Sequence, residues 1–115
     1  MSTCLFCHLA QPAQQTHCRF SDEQVIVLDD INPQAPIHQL IIPKKHIETL
    51  NALATNEDTW LIGHMFQIAR QQAQRMDIAE RGYRTVFNCN REGGQAIYHL
   101  HLHMLGGRPL GWPPG

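Results

Sequence analysis

Hydrophobic and polar positions follow different rhythms along this chain, and each rhythm predicts a different element. Val25-Ile26-Val27-Leu28 is an apolar run rich in β-branched residues, which predicts a strand. It leads into Asp29-Asp30-Ile31-Asn32-Pro33, a turn in which Asp and Asn bond their own backbone and Pro33 fixes φ. His38 to Pro43 reads as the next strand, with Leu40, Ile41 and Ile42 inside it. Pro43 stops that strand because it has no N–H to give to a ladder.

The rhythm then lengthens to that of a helix. Thr55 is the expected N-cap, with Asp58 three residues on, and Glu57 and Asp58 suit the positive end of the dipole. Leu61, Met65, Ile68 and Gln72 step along one side, while Trp60, His64 and Ala69 widen the stripe. Arg70 and Arg75 fall towards the C-terminal end, and Gly82 breaks the pattern. Arg84 to Asn88 reads as a strand, Gly93-Gly94 as a turn, and Ala96 to Leu105 as a long final strand. The first twenty residues read as irregular. Strands with one long helix in this order predict an α+β fold with a mostly antiparallel sheet.

A length of 115 residues fits a single domain spanning 1–115. The net charge of −1 supplies no basic field for a nucleic-acid backbone, which argues against DNA or RNA as a partner. There is no apolar run long enough for a membrane span and no basic leader, so a soluble, cytoplasmic protein is expected. The cysteines are Cys4, Cys7, Cys18 and Cys89, and Cys4-x-x-Cys7 in such a setting points to metal or redox chemistry.

The chain has eight histidines, three of which alternate in one run. On a strand, His99, His101 and His103 share one face, and Tyr98, Leu100, Leu102 and Met104 the other. The apolar set is expected to pack under the helix and leave the imidazoles facing a cleft. One such histidine is ordinarily incidental, but no packing reason favours three. Alternating imidazoles can ligate zinc, or act as nucleophile and acid/base near neutral pH. The adjoining Gly93-Gly94-Gln95 offers unobstructed backbone N–H groups, and Asn88 a side-chain amide, which suits a phosphoryl group.

The stretch Gly93-Gly94-Gln95-Ala96-Ile97-Tyr98-His99-Leu100-His101-Leu102-His103-Met104-Leu105-Gly106-Gly107-Arg108 resembles the signature of the histidine-triad (HIT) superfamily. It is most similar to the Hint branch of nucleoside phosphoramidases. The segments from Asp30 to His38 and Ile41 to Ile47 resemble that branch too, as does Trp112-Pro113-Pro114-Gly115. The resemblance covers roughly residues 20–115. It implies a five-stranded, mostly antiparallel sheet with one long and one short helix, a homodimer, and hydrolysis of purine nucleoside 5′-phosphoramidates to AMP or GMP. It implies that His101 is the nucleophile, forming a phospho-histidine that water hydrolyses, with His103 on a phosphate oxygen and His38 completing the cluster. Asp30 would accept from the ribose hydroxyls, Ile31 would lie beside the base, and Asn88, Gly94, Gln95 and Ala96 would contact phosphate.

Ala96 departs from the branch, which usually has Ser there to assist the leaving amine. The resemblance also implies structural zinc, because several bacterial-type members bind it through residues matching Cys4, Cys7, His46 and His99, a knuckle within residues 1–20 tied to the sheet. His8, His17 and Cys18 lie close enough in sequence to serve instead. Three other functional readings stand beside hydrolysis of phosphoramidates. One is a nucleotide-binding scaffold with weak turnover, favoured by Ala96. Another is dinucleotide polyphosphate hydrolysis, disfavoured because Gly107 is not Gln. The last is a hydrolase using all three histidines as ligands of one zinc, which would leave the Gly-Gly-Gln turn without a purpose.

Overall fold

The structure is a computed structural model that describes residues 4–115. Its five strands form one antiparallel sheet: β1 (Phe20–Ser21), β2 (Val25–Asp29), β3 (Ile37–Pro43), β4 (Tyr83–Val86) and β5 (Leu102–Gly106). The spatial order is β1-β2-β3-β5-β4. Register runs from Val25↔Pro43 to Asp29↔Gln39 between β2 and β3, and from Ile37↔Gly106 to Ile41↔Leu102 between β3 and β5.

Each face of this sheet carries a helix. The long helix α2 (Asn56–Arg75) starts at a capping box in which the Thr55 side chain and Asp58 satisfy each other's backbone N–H groups. Asp58 also takes Lys45 Nζ at 2.6 Å, fixing the helix start to the segment after β3. Leu61, Met65, Ile68, Ala69 and Ala73 of α2 are buried with Val25, Val27, Ile41, Leu100, Leu102 and Met104 of the sheet side. Trp60 does not join that stripe. It is exposed and stacks on His64, which pairs with Asp22 at 2.7 Å. No helix among the described residues is long and apolar enough to cross a membrane.

The N-terminal segment, expected to be irregular, is ordered. It forms the short helix α1 (Leu5–Leu9), a 3₁₀ helix over Pro12–His17, and then β1. Cys4 caps α1, its Sγ accepting from Cys7 N–H at 3.4 Å. Phe6 and Ala10 are buried against Ile26, Leu40 and Ile42 on the sheet face opposite α2. This explains why β2 is apolar at consecutive positions rather than alternate ones, since both of its faces are covered. Burying a side chain such as Phe6 contributes roughly 2–3 kcal/mol before entropy is counted.

The last strand is shorter than predicted. The ladder between β3 and β5 stops at Ile41↔Leu102. The same register would next set Leu100 opposite Pro43, and a proline has no N–H to bond across. Leu100 N–H donates instead to Ile47 O at 2.6 Å, so residues 96–101 leave the sheet. Leu100, Leu102 and Met104 pack as expected, but Tyr98 lies in the departed stretch and is exposed. β4 likewise ends at Val86 rather than Asn88, since its partner strand begins only at Leu102.

Candidate active site

The stretch that leaves the sheet forms one side of a cleft of about 280 Å³ between α1 and the ends of β2 and β3. Leu5, Phe6 and Leu9 of α1, with Leu28, Leu40 and Ile97, give it an apolar wall. Asp30, Asn88, Gly94, Ala96, His101 and His103 line the polar part. Ile31 also lines it, from a fully exposed position at the rim. The α1 and sheet residues of the wall went unnoticed in the sequence. Leu5, Phe6 and Leu9, at helical spacing immediately after a small capping residue, were the signal available for them.

Hydrogen-bond partners fix the proton positions on the histidines. His101 Nδ1 lies 2.8 Å from His99 O, which can only accept, so Nδ1 carries the proton and Nε2 keeps its lone pair. His38 Nδ1 accepts from Gln34 N–H at 3.0 Å, which puts the neutral ring's proton on Nε2. That Nε2–H lies 2.9 Å from His103 Nδ1 and 3.4 Å from Asp30 Oδ2. His103 Nδ1 is therefore an acceptor, and its own proton sits on Nε2. The rings of His101 and His103 are 4.9 Å apart, so a bare nitrogen and an N–H donor stand side by side at the cleft.

His103 is pushed down to about 4 by burial first, then by the neighbouring His101 and His38, against the opposing pull of Asp30. Burial also lowers His38, again opposed by Asp30. Both rings thus stay neutral near pH 7. An unfolded histidine titrates near about 6.5, so the unfolded chain binds protons that the folded chain refuses. Stability is accordingly complete above that value and falls as pH drops towards the folded-state value of about 4. Thermal melts between pH 7 and 4.5 should show this decline, and His103→Gln should flatten it. An unchanged slope in the variant would remove His103 as the cause.

The phosphate-turn residues behave unequally. Gly94 N–H donates to Arg91 O and Gln95 N–H to Asn90 O, each at 3.0 Å, so two expected anion donors instead close the turn. The buried Gln95 side chain accepts from Asn90 N–H and donates to Glu48 O and Ile97 O. It braces the turn, tying Asn90 to Glu48 and Ile97, and the side chain does not line the cleft. The Ala96 N–H has no partner among the described residues and borders the cleft.

The first histidine of the run, His99, faces a different cluster. His99 is fully buried, its Nε2 lies 2.6 Å from Pro43 O, and its Nδ1 is consequently bare. That Nδ1 faces Cys4 Sγ at 3.3 Å, Cys7 Sγ at 3.4 Å and His46 Nδ1 at 3.1 Å, while Cys7 Sγ lies 3.2 Å from His46 Nδ1. Four donor atoms within 4.8 Å of one another form a cluster that could hold a metal ion. Among the described residues no metal-binding group unites His99, His101 and His103, so a single centre ligated by all three is not formed.

A family described as "scavenger mRNA decapping enzyme C-term binding" matches residues 3–109. An uncharacterized HIT-like protein of Synechocystis sp. is 47% identical over 96 residues, 84% of this chain and 82% of that one. A purine nucleoside phosphoramidase of Escherichia coli strain K12 is 48% identical over 92 residues, 80% of this chain and 76% of that protein. The crystal structure of a HIT family hydrolase from Legionella pneumophila Philadelphia 1 superposes with a TM-score of 0.92 at 48% identity, covering 98% of this chain and 100% of the other.

Proposed function

Because this chain belongs to the histidine-triad superfamily, in its Hint branch, we propose that it hydrolyses purine nucleoside 5′-phosphoramidates to AMP or GMP and an amine. The observation that carries this reading is the pairing at the cleft of a bare His101 Nε2 with the Nε2–H of a neutral His103. His101 Nε2 attacks phosphorus as the P–N bond to the amine breaks, giving a phospho-histidine and the free amine. The His101 Nδ1–H bond to His99 O supports the positive charge on the ring. His103 Nε2–H and the Ala96 N–H stabilise the developing charge on the phosphoryl oxygens. Water then cleaves the phospho-histidine and frees the nucleotide. Asn88 adds a side-chain amide at the phosphate end, and Gly94 lets the turn approach it closely. Ala96 has no hydroxyl to protonate the leaving amine, so in this reading solvent water supplies that proton. That same feature favours the second reading, a nucleotide-binding protein with slow turnover.

We assign the apolar wall to the purine and Asp30 to the ribose. Asp30 Oδ1 already holds Asn32 N–H at 2.8 Å, so the carboxylate is oriented before a ligand arrives. Adenosine 5′-phosphoramidate should yield AMP with the protein, and Asp30→Ala should weaken AMP binding by about 1–3 kcal/mol. A ribose-lacking phosphoramidate should ignore that substitution. AMP binding without AMP release would establish the second reading, and equal losses for both compounds would reduce Asp30 to a turn residue.

We also propose that Cys4, Cys7, His46 and His99 hold structural zinc. A tetrahedron with Zn–S near 2.3 Å and Zn–N near 2.0–2.1 Å has S···N and N···N edges of about 3.3–3.6 Å. The corresponding separations of 3.1–3.4 Å fit that donor set closely. Such a metal supplies a cross-link, and no bond of the reaction is made on it. Reduced thiols accord with a cytoplasmic setting. A homodimer is supported by the edge strand β4, which carries the exposed Tyr83, and by the exposed Phe66, whose ring meets Phe87 just past that strand.

A further inference from the structure

We propose that the metal and the nucleotide are linked ligands of this protein, coupled through α1; the proposal rests on the nucleotide reading above. One five-residue helix serves both sites. Cys4 caps it and Cys7 lies within it, so its N-terminal turn carries two of the four metal donors. Leu5, Phe6 and Leu9, on the same helix, form a wall of the cleft. A helix this short has no independent stability in water, so its position is set by what it is tied to. The ties are the burial of Phe6 and Ala10 against Ile26, Leu40 and Ile42, and the Cys4–Cys7–His46–His99 cluster.

Phe6 joins the two sites directly. Its ring meets His99, a metal donor, at 6.0 Å and the nucleophile His101 at 5.1 Å, both edge-to-face. A metal that holds Cys4 and Cys7 to His46 and His99 therefore also seats the apolar wall against the rest of the cleft. Without it α1 must be ordered at the moment of nucleotide binding, and that ordering entropy is drawn from the affinity. The cost falls on the base, which the wall faces. The phosphate end, built by Asn88, Ala96, His101 and His103, also has supports outside α1, the bonds from His101 to His99 O and between His38 and His103. Linkage is reciprocal, so a bound nucleotide must raise metal affinity by the same factor as the metal raises nucleotide affinity.

The experiment uses the full chain, zinc-loaded and chelator-stripped, with AMP and ribose 5-phosphate as calorimetric probes. Stripping should weaken AMP binding about tenfold, inside the usual range of coupling, and change ribose 5-phosphate binding less than about twofold. Saturating AMP should tighten zinc binding by the same factor measured for AMP. In Leu5→Ala/Leu9→Ala protein, which keeps all four donors, AMP binding should be weak even when zinc-loaded, and stripping should add less than about twofold. An AMP affinity indifferent to stripping overturns the linkage. Equal losses for AMP and ribose 5-phosphate overturn it too, because the metal then holds the whole fold rather than the wall. If zinc-loaded protein binds neither probe, the nucleotide reading itself has failed.

Discussion

His101→Asn is expected to lower turnover of an adenosine phosphoramidate about 10⁴-fold or more, the scale on which removing a nucleophile acts. AMP binding should survive within about tenfold, because ribose, base and most phosphate contacts belong to other residues. The expectation rests on His101 Nδ1, held on His99 O at 2.8 Å, which leaves Nε2 as the only ring atom able to bond phosphorus. Asparagine is polar and smaller, so the site stays open and hydrated. Rapid quenching of the wild type should trap protein carrying AMP through an acid-labile bond to histidine, and the variant should give none. A variant retaining more than about a hundredth of the wild-type rate would rule out the covalent route and shift catalysis to direct attack by water.

Gly93→Ala is expected to be the most damaging single methyl group added near the cleft. A Cβ at Gly93 would collide with Cys89 O and lie 2.8 Å from Cys89 N, both backbone atoms that no rotamer change can move. The turn would have to open, carrying Asn88 on one side and Ala96 on the other. Overpacking of this kind costs about 1–3 kcal/mol, and a displacement near 1 Å at a reacting centre about 10²-fold in rate. Gly94→Ala provides the comparison. Gly94 has φ +81° but open space around the added Cβ, so its cost is conformational, about 1–2 kcal/mol, with no collision. Melting temperature and kcat/KM of the two variants decide the matter: Gly93→Ala should lose more in rate for a similar loss in stability. Equal rates would show that the close approach at Cys89 does not position the phosphate turn.

Much of the fold was legible in the sequence because its signals are local. The Thr55–Asp58 cap, the 3.6-residue stripe of α2 and the β-branched run of β2 each depend on neighbours within a turn or a strand. The histidine run was legible as chemistry, and Asp30, Ile31, Asn88, Gly94, Ala96, His101 and His103 all border one cleft. What escaped depends on distant partners. α1 spans little more than one turn, so Leu5, Phe6 and Leu9 give only a faint periodic signal, and its order comes from Ile26, Leu40 and Ile42. Trp60 sits on the helix stripe by spacing, yet it stacks on His64, whose partner Asp22 is 42 residues away. The bracing role of the Gln95 side chain escaped as well, because a buried, bonded amide and a ligand-facing one read alike in a sequence.

The interruption of the sheet at Pro43 separates His101 from the strand ladder that carries His103. Residues 103–106 are laced into the sheet on both sides, by β3 and by β4, an arrangement whose amides are expected to open only with much of the sheet. Residues 96–101 lie outside that lattice, with the Leu100 amide bonded to the Ile47 carbonyl in a neighbouring loop. The boundary falls between His101 and His103, so in the proposed reaction the nucleophile lies outside the ladder and its phosphate-binding neighbour within it. A shift of that one short segment would then let His101 follow phosphorus from leaving nitrogen to imidazole, with the five strands left undisturbed.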